Sequence, residues 1–508
     1  MNKLISASLD AAQLTAMFAL MTVTAHAQGQ QIDADPTGVT ETLNVNGPTD
    51  TTGAFFQSLG TNGRSCSTCH VADQAMTISP PQIRQRFEQT RGRDPLFAAV
   101  DGANCANART DDAAAHSLVL SHGLIRIALP VPAKAQFTLT VVHDPYGCAL
   151  VADPATGRLT LSVYRRPLPT TNLGFLSTMM WDGRESPASS PLNNRNTLSA
   201  NLIIDLEQQA KDAVATHAQG TAIPTDAQLD DIIGFETGLF TAQVYDRFAG
   251  SLDADGALGG ARNLVTTTKE YYPGINDVLG ADPNGIAFDE TSMTLFAAWQ
   301  NGGNPSNHDS SRFEKRDDRS PPDRRAARAD IAAGEVLFNT APLSISAVRG
   351  LNDNAALSNP VSFKGTCTTC HDTPNVGNHS LPLPLDIGIG HTPRAGLESD
   401  PNIEMGIAEL DEPDLPVFEV QGCPTPFSAG QPVSFYTTDL GKGMITGLCS
   451  DLNRVKGPIL RGLAARAPYF HNGAAATLLQ AVNFYNQRFS MNLTEEQKRQ
   501  LVAFLNSL

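Results

Sequence analysis

One five-residue pattern occurs twice in the 508-residue chain, and that repetition constrains the fold more than any other feature. Cys66-Ser67-Thr68-Cys69-His70 is the first copy and Cys367-Thr368-Thr369-Cys370-His371 the second. A C-x-x-C pair followed directly by histidine is the attachment signature of c-type haem. The spacing follows from the chemistry. Two thiols must reach two vinyl groups on one edge of a porphyrin, and the histidine must turn under the ring to give the iron its proximal bond. A zinc site would need a second cysteine pair or spaced histidines close by, and neither motif has them. A thioredoxin-type pair would sit between a strand and a helix of a βαβ unit, and no such pattern surrounds either copy. The sequence therefore predicts two covalently bound haem c groups, one held by Cys66, Cys69 and His70, the other by Cys367, Cys370 and His371.

Export agrees with this chemistry, because haem is attached to such motifs outside the cytoplasm. Lys3, the mostly apolar run from Leu14 to Val23 and the A-x-A site Ala25-His26-Ala27 predict a secretory signal over 1–27, cleaved after about Ala27, and a periplasmic protein. No later segment approaches the ~20 apolar residues of a membrane span. The four other cysteines form two sequence-local sets, Cys105 with Cys148 and Cys423 with Cys449. Local pairing into two disulfides is the simplest of three connectivities in an oxidising compartment. Buried free thiols are the other reading. A formal net charge of -16 argues against a nucleic-acid partner and suits a basic one, such as the docking face of a small electron carrier. Plain solubility explains the same charge.

The organisation is doubled. Gly53-Ala54-Phe55-Phe56 precedes the first motif and Gly334-Glu335-Val336-Leu337-Phe338 the second. A segment rich in Asn, Ser, Pro, Asp and Arg over 301–325 reads as a linker. It divides an N-terminal haem domain, 28–300, from a C-terminal one, 326–508. The expected fold is mainly α: two cytochrome c-like haem domains with a small β-hairpin insert and long ordered loops. The stretch 206–219 has no Pro or Gly and favours a helix, and the segment from Thr494 opens as a helix should. Alternation over 136–143 and 159–165 predicts the hairpin, inside an insert of about 100–165. The Pro- and Gly-rich stretch after the second motif, about 373–450, predicts an ordered loop around the second haem.

Three further segments carry a resemblance. They are Met180-Trp181-Asp182-Gly183-Arg184, Leu206-Glu207-Gln208-Gln209-Ala210, and Lys456 to Phe489 with its Ala467-Pro468-Tyr469-Phe470-His471-Asn472-Gly473 core. With the two haem motifs, they resemble the bacterial di-haem cytochrome c peroxidase and MauG family, outside the two inserts. The resemblance implies a peroxide-binding N-terminal haem and a C-terminal haem that receives electrons from a small cytochrome c or cupredoxin. Trp181 matches the tryptophan that relays electrons between the haems, and Gln209 a distal glutamine. The family's distal glutamate falls on Gln219, whose amide cannot act as a base, and a neighbouring proline falls on His217. Gln209, Ala213 and His217 are spaced to share one helix face, so His217 is the candidate acid-base residue, with Glu207 in reserve. Tyr485 stands where peroxidases of the family carry a methionine and MauG-type proteins a tyrosine, and so is the candidate sixth ligand of the second iron; Met444 is its rival. His116 and His122 follow the first haem and are candidate sixth ligands there. The resemblance leaves room for one calcium ion between the haems and for a homodimer.

Three functions follow from these residues. The first is a periplasmic peroxidase reducing hydrogen peroxide to water, with Trp181, Gln209, His217 and Glu207 as its catalytic candidates. The second is a MauG-like or oxygenase-type oxidase of a protein or organic substrate, which Tyr485 and the inserts favour. The third is a plain di-haem electron carrier.

Overall fold

The computed structural model describes residues 29–152, 156–186, 195–266, 272, 274–277, 282–302, 321–355, 358–377, 384–390, 410–423 and 434–508. The signal expected over 1–27 and most of the linker expected over 301–325 lie outside these residues. Nine helices and twelve strands are found among those described.

The N-terminal part begins with strands β1 (Gln30–Ala34) and β2 (Gly38–Asn44), followed by helices α1 (Pro80–Thr90) and α2 (Ser117–His122). Strands β3 (Ile125–Pro130), β4 (Thr138–His143), β5 (Leu150–Ala152) and β6 (Leu159–Arg165) come next. Helices α3 (Arg195–Thr216) and α4 (Asp226–Thr237), strands β7 (Leu239–Asp246) and β8 (Gly250–Ser251), and helix α5 (Gly260–Val265) complete this part. β1 and β2 join β7 and β8 in one antiparallel sheet, order β1-β2-β7-β8.

The C-terminal part opens with helix α6 (Pro321–Thr340), then strands β9 (Leu343–Ser346), β10 (Ser362–Gly365), β11 (Val417–Gln421) and β12 (Phe435–Thr437). Helices α7 (Gly443–Thr446), α8 (Leu478–Arg488) and α9 (Glu495–Asn506) end the chain. Thr477 with Gln480 and Thr494 with Gln497 form capping boxes that start α8 and α9. α6 and α9 cross so closely that a Cβ on Gly334 would meet the Gln500 carbonyl oxygen at 2.0 Å. The glycine ahead of the second motif is thus a packing requirement. Phe338 and Phe504 meet at that crossing, in a core shared with Phe296 and Trp299.

The two inserts do not stay apart. The alternating segments β4 and β6 were expected to pair as a hairpin, and they do not. β6 is the centre of the sheet β3-β6-β5, whereas β4 is the edge of the sheet β12-β11-β4. β4 lies antiparallel to β11, with Thr140 opposite Glu419 and Leu139 opposite Val420. Alternation identifies a half-buried strand but says nothing of its partner. Beneath this junction Phe137, Leu161 and Val163 of the first insert pack with Phe418, Phe435 and Leu452 of the second. The Cys105–Cys148 and Cys423–Cys449 sulfurs lie at bonding distance, the local pairing.

Candidate functional site

The two C-x-x-C-H segments fold identically. Cys66–Thr68 and Cys367–Thr369 are single 3₁₀ turns, each opened by a capping box, Ser65 with Thr68 and Thr366 with Thr369. In both, the histidine N–H donates 3.0 Å to the first cysteine's carbonyl. All four thiols are free and half-buried. Burial pushes Cys66, Cys367 and Cys370 up to about 12 and Cys69 to about 11, so they are neutral thiols. Burial also pushes His70 and His371 down to about 4, leaving each a neutral imidazole, the form that binds iron. The Met76 carbonyl, 3.2 Å from His70 Nδ1, fixes that ring.

Each segment opens on a cavity. The first is lined by Cys66, Cys69 and His70, and the second by Cys367, Cys370 and His371. Trp181 and Lys456 line both. The Trp181 N–H donates to the Arg166 carbonyl at 2.8 Å, and the Lys456 N–H donates to the Trp181 carbonyl at 2.8 Å. The indole is buried and tilted 60° to the His471 ring at 6.0 Å.

Three buried cations stand near Trp181: Arg166, Arg466 and Lys456. Arg166 reaches only carbonyls, those of His122, Gly123 and Arg466. Arg466 likewise donates to the Gly462, Ile459 and Arg461 carbonyls, and Lys456 Nζ to that of Thr178. Burial pushes both guanidiniums down to about 10 and Lys456 down to about 7. None is paired with a carboxylate among the described residues. Buried uncompensated charge is costly, and the propionate carboxylates of two haems would supply the missing counter-charge. The thiols, the neutral histidines and these cations fit haem c in both cavities. Among the described residues no group of three or more His, Cys, Asp or Glu is placed to hold a metal.

The wall of the first cavity includes Gln209, Ala213 and His217, which α3 does bring to one face. α3 ends at Thr216, but the His217 N–H still donates to the Ala213 carbonyl at 2.9 Å, so the histidine keeps helical placement. Its Nδ1 bonds to Asp101 Oδ2, and Asp101 Oδ1 pairs with Arg64. Burial alone would raise Asp101, but His217 and Arg64 outweigh it and hold the carboxyl below its usual range. Glu207 does not join this wall. It is half-exposed and paired with Lys211 one turn along the helix, and a solvated carboxylate in an i,i+4 pair is ordinary helix surface. Sequence reading missed Asp101 and also Glu236, a buried carboxyl lining the same cavity. Burial raises Glu236 to about 7, and Thr170 donates to it at 2.6 Å. A lone carboxylate, whether in the turn of Asp101 or near the end of α4, has no motif, so only its neighbours reveal it.

Neither proposed sixth-ligand histidine borders the first cavity. His116 is fully buried between Phe87 and Phe97, with Nδ1 donating to the Gly102 carbonyl at 2.7 Å. His122 meets the Asp411 carbonyl at 3.2 Å. In the second cavity Tyr485 is present, stacked on Phe489 at 5.8 Å, and burial raises its hydroxyl above the usual range. Its rival Met444 lies instead in the core beneath the joined inserts. Met491 lines this cavity beside Tyr485, and sequence reading had passed over it.

No family model matches the chain. Over 157 residues, 28% of the chain, it is 32% identical to the cytochrome-c peroxidase IdrP2 of Denitromonas iodatirespirans, covering 36% of that protein. Over 69 residues, 13% of the chain, it is 38% identical to the cytochrome c551 peroxidase of Nitrosomonas europaea, covering 21% of it. The chain thus spans about a third and about a fifth of the length of these relatives, both cytochrome c peroxidases by name.

Proposed function

We propose that the protein is a periplasmic di-haem peroxidase that reduces hydrogen peroxide to water with electrons from a small cytochrome c or cupredoxin. The observation that carries this reading is the shared wall: Trp181 borders the cavity of His70 and the cavity of His371. Bound through Cys66, Cys69 and His70 and through Cys367, Cys370 and His371, haem c supplies the redox chemistry that side chains lack. The chain's own residues do the rest. The buried Trp181 ring, anchored through its N–H, offers electrons a stepping stone between the cavities. His217 takes a proton from peroxide and returns it to the departing water, while the Gln209 amide offers a hydrogen bond. Two electrons and two protons convert one peroxide into two waters.

The test is peroxide turnover by the haem-loaded protein with reduced cytochrome c. Trp181→Phe is expected to slow donor oxidation tenfold or more, a barrier increase of about 1.4 kcal/mol or above. Donor oxidation unchanged in that variant would remove the relay.

Tyr485 in the second cavity favours a second reading, a MauG-like oxidase of a protein or organic substrate. The same assay separates them. An unoxidised donor, together with oxidation of an added protein or organic substrate that is lost in Tyr485→Phe, would support the second reading.

A further inference from the structure

We infer that Asp101, clamped by Arg64, is the positioning residue of the proton-transfer site, holding His217 with Nδ1–H committed and Nε2 free toward the first cavity. The inference rests on the peroxide reading and names residues that the resemblance does not supply.

The geometry is a chain of three side chains from three segments. Arg64 stands two residues before Cys66, Asp101 in the turn after Phe97, and His217 at the end of α3. Arg64 Nε donates 2.7 Å to the Pro95 carbonyl, and Nη2 donates 2.6 Å to that of Leu96. Nη1 holds Asp101 Oδ1 and also donates to the His217 carbonyl at 3.2 Å. The guanidinium thereby fixes both the carboxylate and the backbone of the histidine that the carboxylate orients. The Asp101 turn is braced as well. The Arg126 N–H donates 2.8 Å to the Asp101 carbonyl, and His116 holds the carbonyl of Gly102. At Gly102 there is no room for a side chain: a Cβ would meet the Leu96 oxygen at 2.0 Å and Arg64 Nη2 at 2.8 Å.

A buried Arg–Asp pair alone adds little net stability, and Arg64 with Asp101 would be complete without a histidine. Instead the second carboxylate oxygen is spent on a ring that lines the cavity. Asp101 is 5% exposed, whereas the His217 side chain is 30% exposed. A buried carboxylate on Nδ1–H selects one tautomer and orientation of an imidazole and stabilises the imidazolium that forms when Nε2 takes a proton, the logic of any carboxylate–histidine pair. Nε2 has no hydrogen-bond partner among the described residues. This pair replaces a distal glutamate by a base of two residues drawn from separate segments.

The test uses cyanide, which enters as HCN and must give up its proton to bind a ferric haem. Carbon monoxide on the ferrous protein, which has no proton to lose, is the control for access. In haem-loaded full-length Asp101→Asn, cyanide combination is expected to slow on the order of 10–100-fold, with carbon monoxide combination within about twofold of wild type. Asp101→Asn in a His217→Gln background is expected to add no further slowing. Should Asp101→Asn fail to fold, Asp101→Glu, which keeps the charge but displaces it, reads the same ratio. Equal cyanide rates in wild type and variant, or equal slowing of both ligands, would overturn the inference. Peroxide turnover is followed alongside. Asp101-dependent cyanide binding without turnover would overturn the peroxidase reading and leave the positioning role standing.

Discussion

His217→Ala is expected to lower the rate of peroxide reduction by about 10²–10⁴-fold, the usual contribution of a positioned general acid-base. That corresponds to a barrier about 2.7–5.5 kcal/mol higher. The nearby polar groups are poor replacements. Gln209 on the same wall carries only an amide, and Glu207 lies off the wall, turned outward to Lys211. The loss should fall on the peroxide step, so that kcat/KM for peroxide drops while donor docking is unchanged. Stopped-flow mixing with peroxide, followed by steady-state donor oxidation, separates the two. Unchanged peroxide kinetics would move the proton to Glu236, a buried carboxyl in the same cavity, which burial has raised to about 7.

A second large effect concerns stability. Arg165 is 1% exposed and joins two buried carboxylates: Asp182 of the W-D-G-R segment, and Asp439, reached at 2.6 and 2.8 Å. Burial works against all three charges, yet mutual attraction outweighs it, raising Arg165 and holding Asp182 and Asp439 below their usual range. Arg165→Ala leaves Asp439 buried without its cation and Asp182 with Arg184 alone, a loss of about 3–5 kcal/mol. The sign of the pH dependence follows from the depressed carboxyls. Their contribution is full above an unfolded carboxyl value of about 3.9 and is lost as pH falls through the folded values. The gap between wild type and Arg165→Ala is therefore widest near neutrality and closes in acid. Urea unfolding at several pH values checks this, and a gap independent of pH would show that the cluster is not ionic.

Sequence legibility followed the range of each interaction. The haem motifs were readable because five consecutive residues carry the whole chemistry, and both copies fold as the same capped turn. The face formed by Gln209, Ala213 and His217 was readable because helical spacing is local. What escaped was set by distant partners. Nothing in 136–143 tells that β4 pairs with β11 in place of β6, since alternation fixes a face and leaves the neighbour open. Asp101 and Glu236 stand in unremarkable surroundings and matter only through the side chains that reach them. Tyr485 was placed by position in a segment, and it does border the second cavity. Met491, six residues on, borders it too, because the chain turns back after α8.

The shared sheet has a consequence for the order in which the chain can mature. β4 is synthesised early, but β11, its strand partner among the described residues, follows far later in the chain. Until then its backbone edge is bare, above Phe137, Leu161 and Val163 that await Phe418 and Phe435. An unpaired strand over exposed apolar residues invites pairing with another molecule. The N-terminal part therefore cannot be finished and set aside while the rest is made. Making this chain calls for keeping the first half from sticking to its neighbours until the second arrives, and a clone stopped after the first C-x-x-C-H unit would be an aggregate rather than half an enzyme.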